Sequence, residues 1–194
     1  MTGTGNISGH TDSNYKAPAP ELSLLIRDCI ANERAAQKQL YDTYSPTLYA
    51  VIRRYVDDLD TAKEVLNDTF YKVFTRLSQY SFHGAFEGWL RQIAVNIISD
   101  HFRRNKKHEV ITGQDVETID AHVNNDIVGK ISYKELLQLI HELPTTQKAV
   151  FNLYVFENYP HKDIAELLGI TENNSRWQLN DARRRLKEKI KNIM

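Results

Sequence analysis

Residues 159–187, YPHKDIAELLGITENNSRWQLNDARRRLK, constrain this chain more than any other stretch, because they read as two short helices joined by a tight turn. Pro160 suits the first helical position. Ile164, Ala165, Leu167 and Leu168 supply an apolar face, and Gly169 sits where a left-handed cap would end the first helix. Thr171 can cap the second helix. Within that helix Ser175, Leu179, Ala182 and Leu186 recur at steps of four, three and four, which makes one inward stripe of small or apolar side chains. Arg176, Gln178, Asn180, Arg183 and Arg184 are left for the outside. A DNA major groove admits one helix, and Arg, Gln and Asn carry the forked donors and acceptors that match base edges and phosphates.

A basic amphipathic helix alone is weak evidence, since a charge run is commonly a solvated face. The turn grammar tips the balance: a helix, a glycine turn and a basic second helix together form a helix-turn-helix, the unit that grips a duplex.

Formal net charge is zero over 194 residues, which would argue against a polyanionic partner if the charges were evenly spread. They are not. Residues 89–107 carry five basic and one acidic side chain, and 171–194 carry seven basic and three acidic. Residues 108–130 between them carry five acidic and one basic. Local field, not net charge, sets attraction to phosphates, so two basic patches flanking an acidic connector imply a polyanion held at two places.

Hydrophobic content of 41% is enough to build cores at this length, and two small helical domains fit better than one. Residues 1–20 are rich in Gly, Ser, Thr, Asn and Pro and read as a disordered tail. Four helices are expected over 21–107. The first starts at Leu22 and runs towards Tyr44, and Pro46 begins the second. Asp60 caps the third, with Val65, Leu66, Thr69, Phe70, Val73, Phe74 and Leu77 on one side. The fourth runs from about Phe86 to Arg104 and buries Leu90, Ile93, Ala94, Ile97 and Ile98. Residues 108–130 lack apolar periodicity and read as a linker. Helices over 131–142 and 145–157, then the pair after Pro160, make a second domain spanning 131–194. No strand-like alternation persists, so the fold class is all-α.

The single Cys29 excludes an intrachain disulfide, fits a reducing cytosol and reads as a buried structural thiol. No apolar run approaches the roughly 20 residues of a membrane span, and no charged-then-apolar leader opens the chain. A cytoplasmic protein without stable membrane insertion is expected. Seven histidines form no pair at metal-motif spacing, and no phosphate-cradling glycine loop or nucleophile elbow occurs. The expectation is a non-enzymatic protein without metal or cofactor.

The segments DTAKEVLNDTFYKVF, FEGWLRQIAVNIISDHFRRNKK and ELPTTQKAVFNLYVFENYPHKDIAELLGITENNSRWQLNDARRRLKEKI, in this order and separation, closely resemble the bacterial extracytoplasmic-function (ECF) sigma factors. The resemblance covers nearly everything from residue 21 onward. It implies a protein that binds core RNA polymerase and directs it to promoters. Residues 21–107 would be region two, acting on the −10 element, and 131–194 region four, acting on the −35 element.

The resemblance also implies roles for single residues. Asp60, Lys63, Glu64, Asp68 and Lys72, on the polar face of the third helix, match the surface that docks on polymerase; an ordinary solvated face is the alternative. Ser78 to Glu87 matches the loop that receives a base flipped from the opening promoter, with Tyr80, Phe82 and Phe86 as candidate stacking faces or, alternatively, core. Asn96 and Asp100 match positions facing DNA near the melted element, and Arg103, Arg104, Lys106 and Lys107 can neutralise phosphates. Trp89 belongs to the same motif but reads better as core.

In the second helix of the pair the candidate DNA-facing residues are Asn173, Asn174, Arg176, Trp177, Gln178, Asn180, Arg183 and Arg184. Here the sequence departs from the family pattern. Asn173 and Asn174 follow Glu172 where a small Gly-Thr pair is usual, Trp177 replaces a Ser, and Asp181 replaces an Arg. Trp177 has three readings: contact with a thymine methyl, contact with the sugar backbone, or packing on the preceding helix. Implied partners are core RNA polymerase, promoter DNA and an anti-sigma factor. The rival reading is a regulator that uses the same helix pair on an operator without joining polymerase. Residues 21–107 argue against it, since they look like neither a receiver nor a ligand-binding domain.

Overall fold

The structure, a computed structural model, describes residues 20–106 and 132–193. Residues 1–19 of the expected tail, the expected linker and Lys107 lie outside the described residues, and Pro20, expected in the tail, opens α1. Among the described residues there are eight α-helices: α1 (Pro20–Ile30), α2 (Arg34–Arg53), α3 (Leu59–Arg76), α4 (Phe86–Lys106), α5 (Tyr133–His141), α6 (Thr145–Val155), α7 (His161–Leu168) and α8 (Glu172–Ile193). A single 3-10 turn, Leu77–Gln79, follows α3, and no strand is present among the described residues.

The first expected boundary is corrected. The chain breaks between α1 and α2 at Ala31–Glu33, where Asn32 takes φ 63°, a left-handed conformation that Asn tolerates better than most residues. Pro46 lies inside α2 instead of opening a helix. An interior proline costs about 3 kcal/mol through the lost hydrogen bond and ring clash. Burial of Leu40, Leu48, Val51 and Ile52 on one face offsets it, at about 1.5–3 kcal/mol per large side chain.

The cap of α3 is also two residues earlier than expected. Asp58 accepts hydrogen bonds from the Thr61 backbone N–H and the Thr61 hydroxyl, each at 2.8 Å. These bonds favour its charged form and hold its carboxyl below the usual range, the backbone bond most strongly. Asp60 sits in the first turn, exposed. Helix α5 opens on a reciprocal cap in which the Ser132 hydroxyl accepts from the Glu135 N–H while the Glu135 carboxylate accepts from the Ser132 N–H at 2.9 Å.

Pro160 is extended (φ −70°, ψ 154°) and precedes the first helical residue of α7, His161. Gly169 ends α7 at φ 63°, ψ 44°, the left-handed cap expected there. Thr171 then accepts a hydrogen bond from the Asn174 N–H at 3.1 Å and opens α8.

Two apolar clusters form. Helices α1–α4 close around Ile26, Leu40, Leu48, Ile52, Val73 and Leu90, with Cys29 among them. Burial, and secondarily the neighbouring Asp28, push the Cys29 thiol up to about 11, so it is inert as well as hidden. Helices α5–α8 close around Ile140, Leu153, Ile164, Leu168, Leu179 and Ala182. The second cluster also takes Val95 and Phe102 from α4, and Tyr55 touches both clusters. The two helical units are packed against each other along α4, an arrangement that hydrophobic periodicity within either unit does not announce.

Candidate nucleic-acid interface

The helix pair places the expected side chains as its pattern requires. Ser175, Leu179, Ala182 and Leu186 are all buried, and Asn173, Arg176 and Arg184 are exposed at the outer face of α8. Each cation there already has a partner. Arg176 pairs with Glu172 and donates to the Asn173 side-chain oxygen at 3.3 Å. Arg184 binds Asp181, at 3.0 Å through Nε, and Glu188 at 2.9 Å. Arg183 lies over the Tyr154 ring, 5.5 Å from its centroid. Gln178 donates to the Asn174 side chain at 3.1 Å. Trp177 is half-buried.

Asp181 has a structural task that its sequence context conceals. It accepts from Gln147 of α6 at 2.6 Å and from Arg185 at 2.8 Å, besides Arg184. These charge-assisted bonds outweigh its burial and lower its carboxyl below the usual range. One acid thereby ties α8 to α6 and sets the directions of two arginines.

Beside the pair, the His161 ring stacks on Tyr154 at 4.6 Å and its Nδ1 hydrogen-bonds the Ser175 hydroxyl at 2.9 Å. Burial, then the Arg176 guanidinium, lower the His161 pKa from 6.5. A base with a depressed folded pKa binds its proton more weakly in the folded state, so that state loses stability as pH falls below about 6.5. Melting temperature measured from pH 7.5 to 5.5 should fall further in the natural chain than in His161→Gln. Equal slopes would mean that His161 titrates alike in the folded and unfolded chain.

On α4, Asn96 is exposed and Asp100 half-exposed, one turn apart, with Arg103 and Arg104 exposed beyond them. Asp100 pairs with Arg103, so its carboxylate orients that guanidinium. Lys106 closes the helix. The aromatic residues between α3 and α4 divide. Tyr80 and Phe86 are buried in the first cluster, their rings 5.1 Å apart and edge-on, and Tyr80 donates its hydroxyl to the Gly84 carbonyl at 2.9 Å. Neither offers a face to solvent, because the short loop folds them under Trp89, which stacks on Phe86 at 5.7 Å. Phe82 alone of the three stays partly exposed, held at φ 58°.

Asp60, Lys63, Glu64 and Asp68 are exposed on α3 and Lys72 half-exposed; Lys63 pairs with Asp60 at 3.1 Å. Two large apolar side chains on the same helix are exposed as well, Tyr71 at 71% and Leu59 at 55%.

Comparison with known proteins places these surfaces in a family. The profile "Sigma-70 region 2" matches residues 40–108, and "Sigma-70, region 4" matches 133–186. The chain is 28% identical to the ECF RNA polymerase sigma factor BldN of Streptomyces coelicolor, over 76% of its own length and 58% of that protein's. It is 25% identical to the ECF RNA polymerase sigma factor SigM of Bacillus subtilis, over 77% of its own length and 91% of that protein's. Among solved structures it shares its fold with the sigma factor RpoE of Bartonella quintana, crystallised with the anti-sigma factor NepR. The TM-score is 0.50 at 21% identity, covering 79% of this chain and 96% of the other. The chain belongs to the ECF RNA polymerase sigma factors.

The matched regions carry the surfaces of this sigma factor. Region two holds the exposed faces of α3 and α4, and region four holds α8. Sequence reasoning missed Tyr71, the Asp181 hub and the Tyr154–His161 stack. Tyr71 had a signal: a large aromatic residue in line with Asp60 and Glu64 on a helical wheel. The other two depend on contacts between helices. Among the described residues no group of His, Cys, Asp and Glu could hold a metal ion, and no helix is long and apolar enough to cross a membrane.

Proposed function

We propose that this sigma factor, which directs transcription initiation with RNA polymerase, does so with three surfaces of its own. The outer face of α3, centred on Asp60, Lys63, Glu64, Asp68 and Lys72, docks on core polymerase. The exposed face of α4, with Asn96, Asp100, Arg103 and Arg104, reads and opens the downstream promoter element, together with the cations Lys106 and Lys107 that follow in the sequence. Helix α8 reads the upstream element with Asn173, Asn174, Arg176, Trp177, Gln178 and Asn180, and holds phosphates with Arg183 and Arg184. Of the three aromatic candidates, Phe82 is retained for stacking on an unpaired base. Tyr80 and Phe86 support it from below.

The observation that carries this reading is the coincidence of the two matched regions with the two exposed basic helices, α4 and α8. Its chemistry is binding and strand separation, without catalysis by the chain itself, and its place is the cytoplasm, where polymerase works. An anti-sigma partner fits the complex in which the Bartonella relative was crystallised.

The test adds the chain to core polymerase and maps the start sites of the RNA made. Defined starts that core polymerase alone does not give are expected; unchanged starts would overturn the reading. Binding of the assembled holoenzyme to such a promoter over a salt series then sorts the arginines. Arg183→Ala should flatten the slope of log affinity against log salt by about one unit, as for a lost phosphate contact. Arg184→Ala should change it less, because two carboxylates already hold that guanidinium. Arg176→Ala should cost about 1–3 kcal/mol and relax preference at one or two positions.

A further inference from the structure

Ser175 is the polar member of the inward stripe of α8, between helices, and it is 0% exposed. A buried hydroxyl needs a partner, and among the described residues its only one is His161 Nδ1, at 2.9 Å. The hydroxyl proton is therefore donated there. With Nδ1 accepting, the proton of the neutral ring sits on Nε2, on the edge of the imidazole turned away from Ser175. Nε2 makes no hydrogen bond among the described residues and stays in contact with solvent. One buried hydroxyl thus fixes the tautomer of His161 and aims an N–H outward.

The charges around that N–H favour an anion. From α8 the Arg176 and Arg183 guanidiniums and the Glu172 carboxylate lie within electrostatic reach of the ring. From α6 the Tyr154 ring stacks on it at 4.6 Å, and Arg183 lies over that same tyrosine, 5.5 Å from its centroid. Lys162 and Asp163 follow on α7 itself, both exposed. On the side of α4, Arg103 faces Asp163 and Glu166 across a groove that His161 does not line. Burial first, then Arg176 and Arg183, disfavour a charge on the imidazole, and Glu172 only partly offsets them, so the ring is neutral at pH 7.

We propose that His161 binds a backbone phosphate of the upstream promoter element through Nε2, beside Arg183, and takes up a proton from solvent as it does so, with Ser175 as the positioning residue that aims the ring. This rests on the assignment of α8 to the upstream element. With the second helix of such a pair in the groove, the first crosses the DNA backbone, and phosphate oxygens accept N–H groups without reading sequence. The phosphate charge offsets the repulsion from Arg176 and Arg183, so the bound ring holds a proton more tightly than the unbound one. Affinity then gains as pH falls, fully so below the pKa of the unbound ring, and the gain is lost as pH rises through the pKa of the bound ring. Protonation leaves the aim intact. The Ser175 hydroxyl donates to Nδ1 of the neutral ring and accepts from Nδ1–H of the charged one, while Nε2–H faces the phosphate in both.

The experiment uses holoenzyme assembled from the full chain, on a promoter whose start site it defines. Affinity is measured at pH 7.5 and 5.5, each over a salt series, for the natural chain and for His161→Gln, which keeps a donor but does not titrate. Between the two pH values the natural chain should gain at least about threefold more affinity than the variant. Its slope of log affinity against log salt should steepen by about one unit, because the charged ring adds one cation at a phosphate. Ser175→Ala should weaken binding at pH 7.5, where the neutral ring loses its fixed tautomer, and recover most of that loss at pH 5.5, where both ring nitrogens donate. A hydroxyl that only supports packing would cost the same at both, and this variant decides the matter if His161→Gln fails to fold. Neutral methylphosphonates, placed one at a time along the upstream element, should include one position at which the natural chain and His161→Gln bind alike at pH 5.5. Equal pH responses of those two chains, or a difference that no methylphosphonate removes, would overturn the phosphate contact. Failure of the underlying assignment has a separate mark: Arg176→Ala and Arg183→Ala would leave promoter binding unchanged.

Discussion

Tyr71→Ala should weaken binding to core polymerase by about 2 kcal/mol or more, roughly 30-fold, while leaving the helical circular dichroism unchanged. Tyr71 is 71% exposed, among the most exposed large apolar side chains of the described residues, and stands in line with Asp60 and Glu64 on α3. Aromatic side chains supply large contact area at low entropic cost, and tyrosine is enriched where alanine substitution costs most. The charged neighbours act differently. Exposed ion pairs contribute about 0–1 kcal/mol, so the double reversal Glu64→Arg with Asp68→Arg should cost less at high salt than the loss of this one ring. Competition for core polymerase at two salt concentrations separates them. If Tyr71→Ala competes as well as the natural chain, the ring lies outside the docking surface. Thr75→Ala, exposed one turn further on, serves as the control.

Tyr71 also shows where sequence reading succeeds and where it stops. The inward stripe Ser175, Leu179, Ala182 and Leu186 was legible because helical periodicity is a local property, and so was Gly169, since few other residues accept its left-handed conformation. The boundary at Pro46 was misread. A local rule about proline lost to tertiary burial of Leu40, Leu48, Val51 and Ile52. Tyr80 and Phe86 matched a loop pattern by residue type, yet type cannot tell a ring presented to solvent from one folded under Trp89. Asp57, Lys148, Arg54 and Glu157 carry no local signal that pairs them. Only the packing of α5 and α6 on the end of α2 brings them together, across about a hundred residues of chain, and no periodicity encodes such a meeting. The same holds for Asp181, which departs from the family pattern by standing where an Arg is usual. Its bond to Gln147 gives that departure a place in the fold.

The packing beneath α8 sets the largest stability effect expected here. Leu168 is 1% exposed in the cluster that joins α7 to α8, directly before the left-handed turn at Gly169. Its neighbour Leu167 is only partly buried. Truncating a fully buried leucine to alanine costs about 2–5 kcal/mol, the lost transfer energy plus the cavity left behind. Against a total of roughly 5–15 kcal/mol for a folded domain, that is a large share. Leu168→Ala should lower the melting temperature of region four by about 10 °C or more, and Leu167→Ala by distinctly less. Binding to upstream promoter DNA should stay within a few-fold of the natural chain at low temperature, because no DNA-facing side chain has changed. It should then be lost on warming as the folded fraction falls, and added promoter DNA should raise the melting temperature with the logarithm of its concentration above Kd. Equal melting shifts for the two leucines would place the support of α8 elsewhere, on the Asp181 hub and the His161–Ser175 bond. A large loss of binding in the cold would show that the α7–α8 angle itself follows the volume of this one side chain.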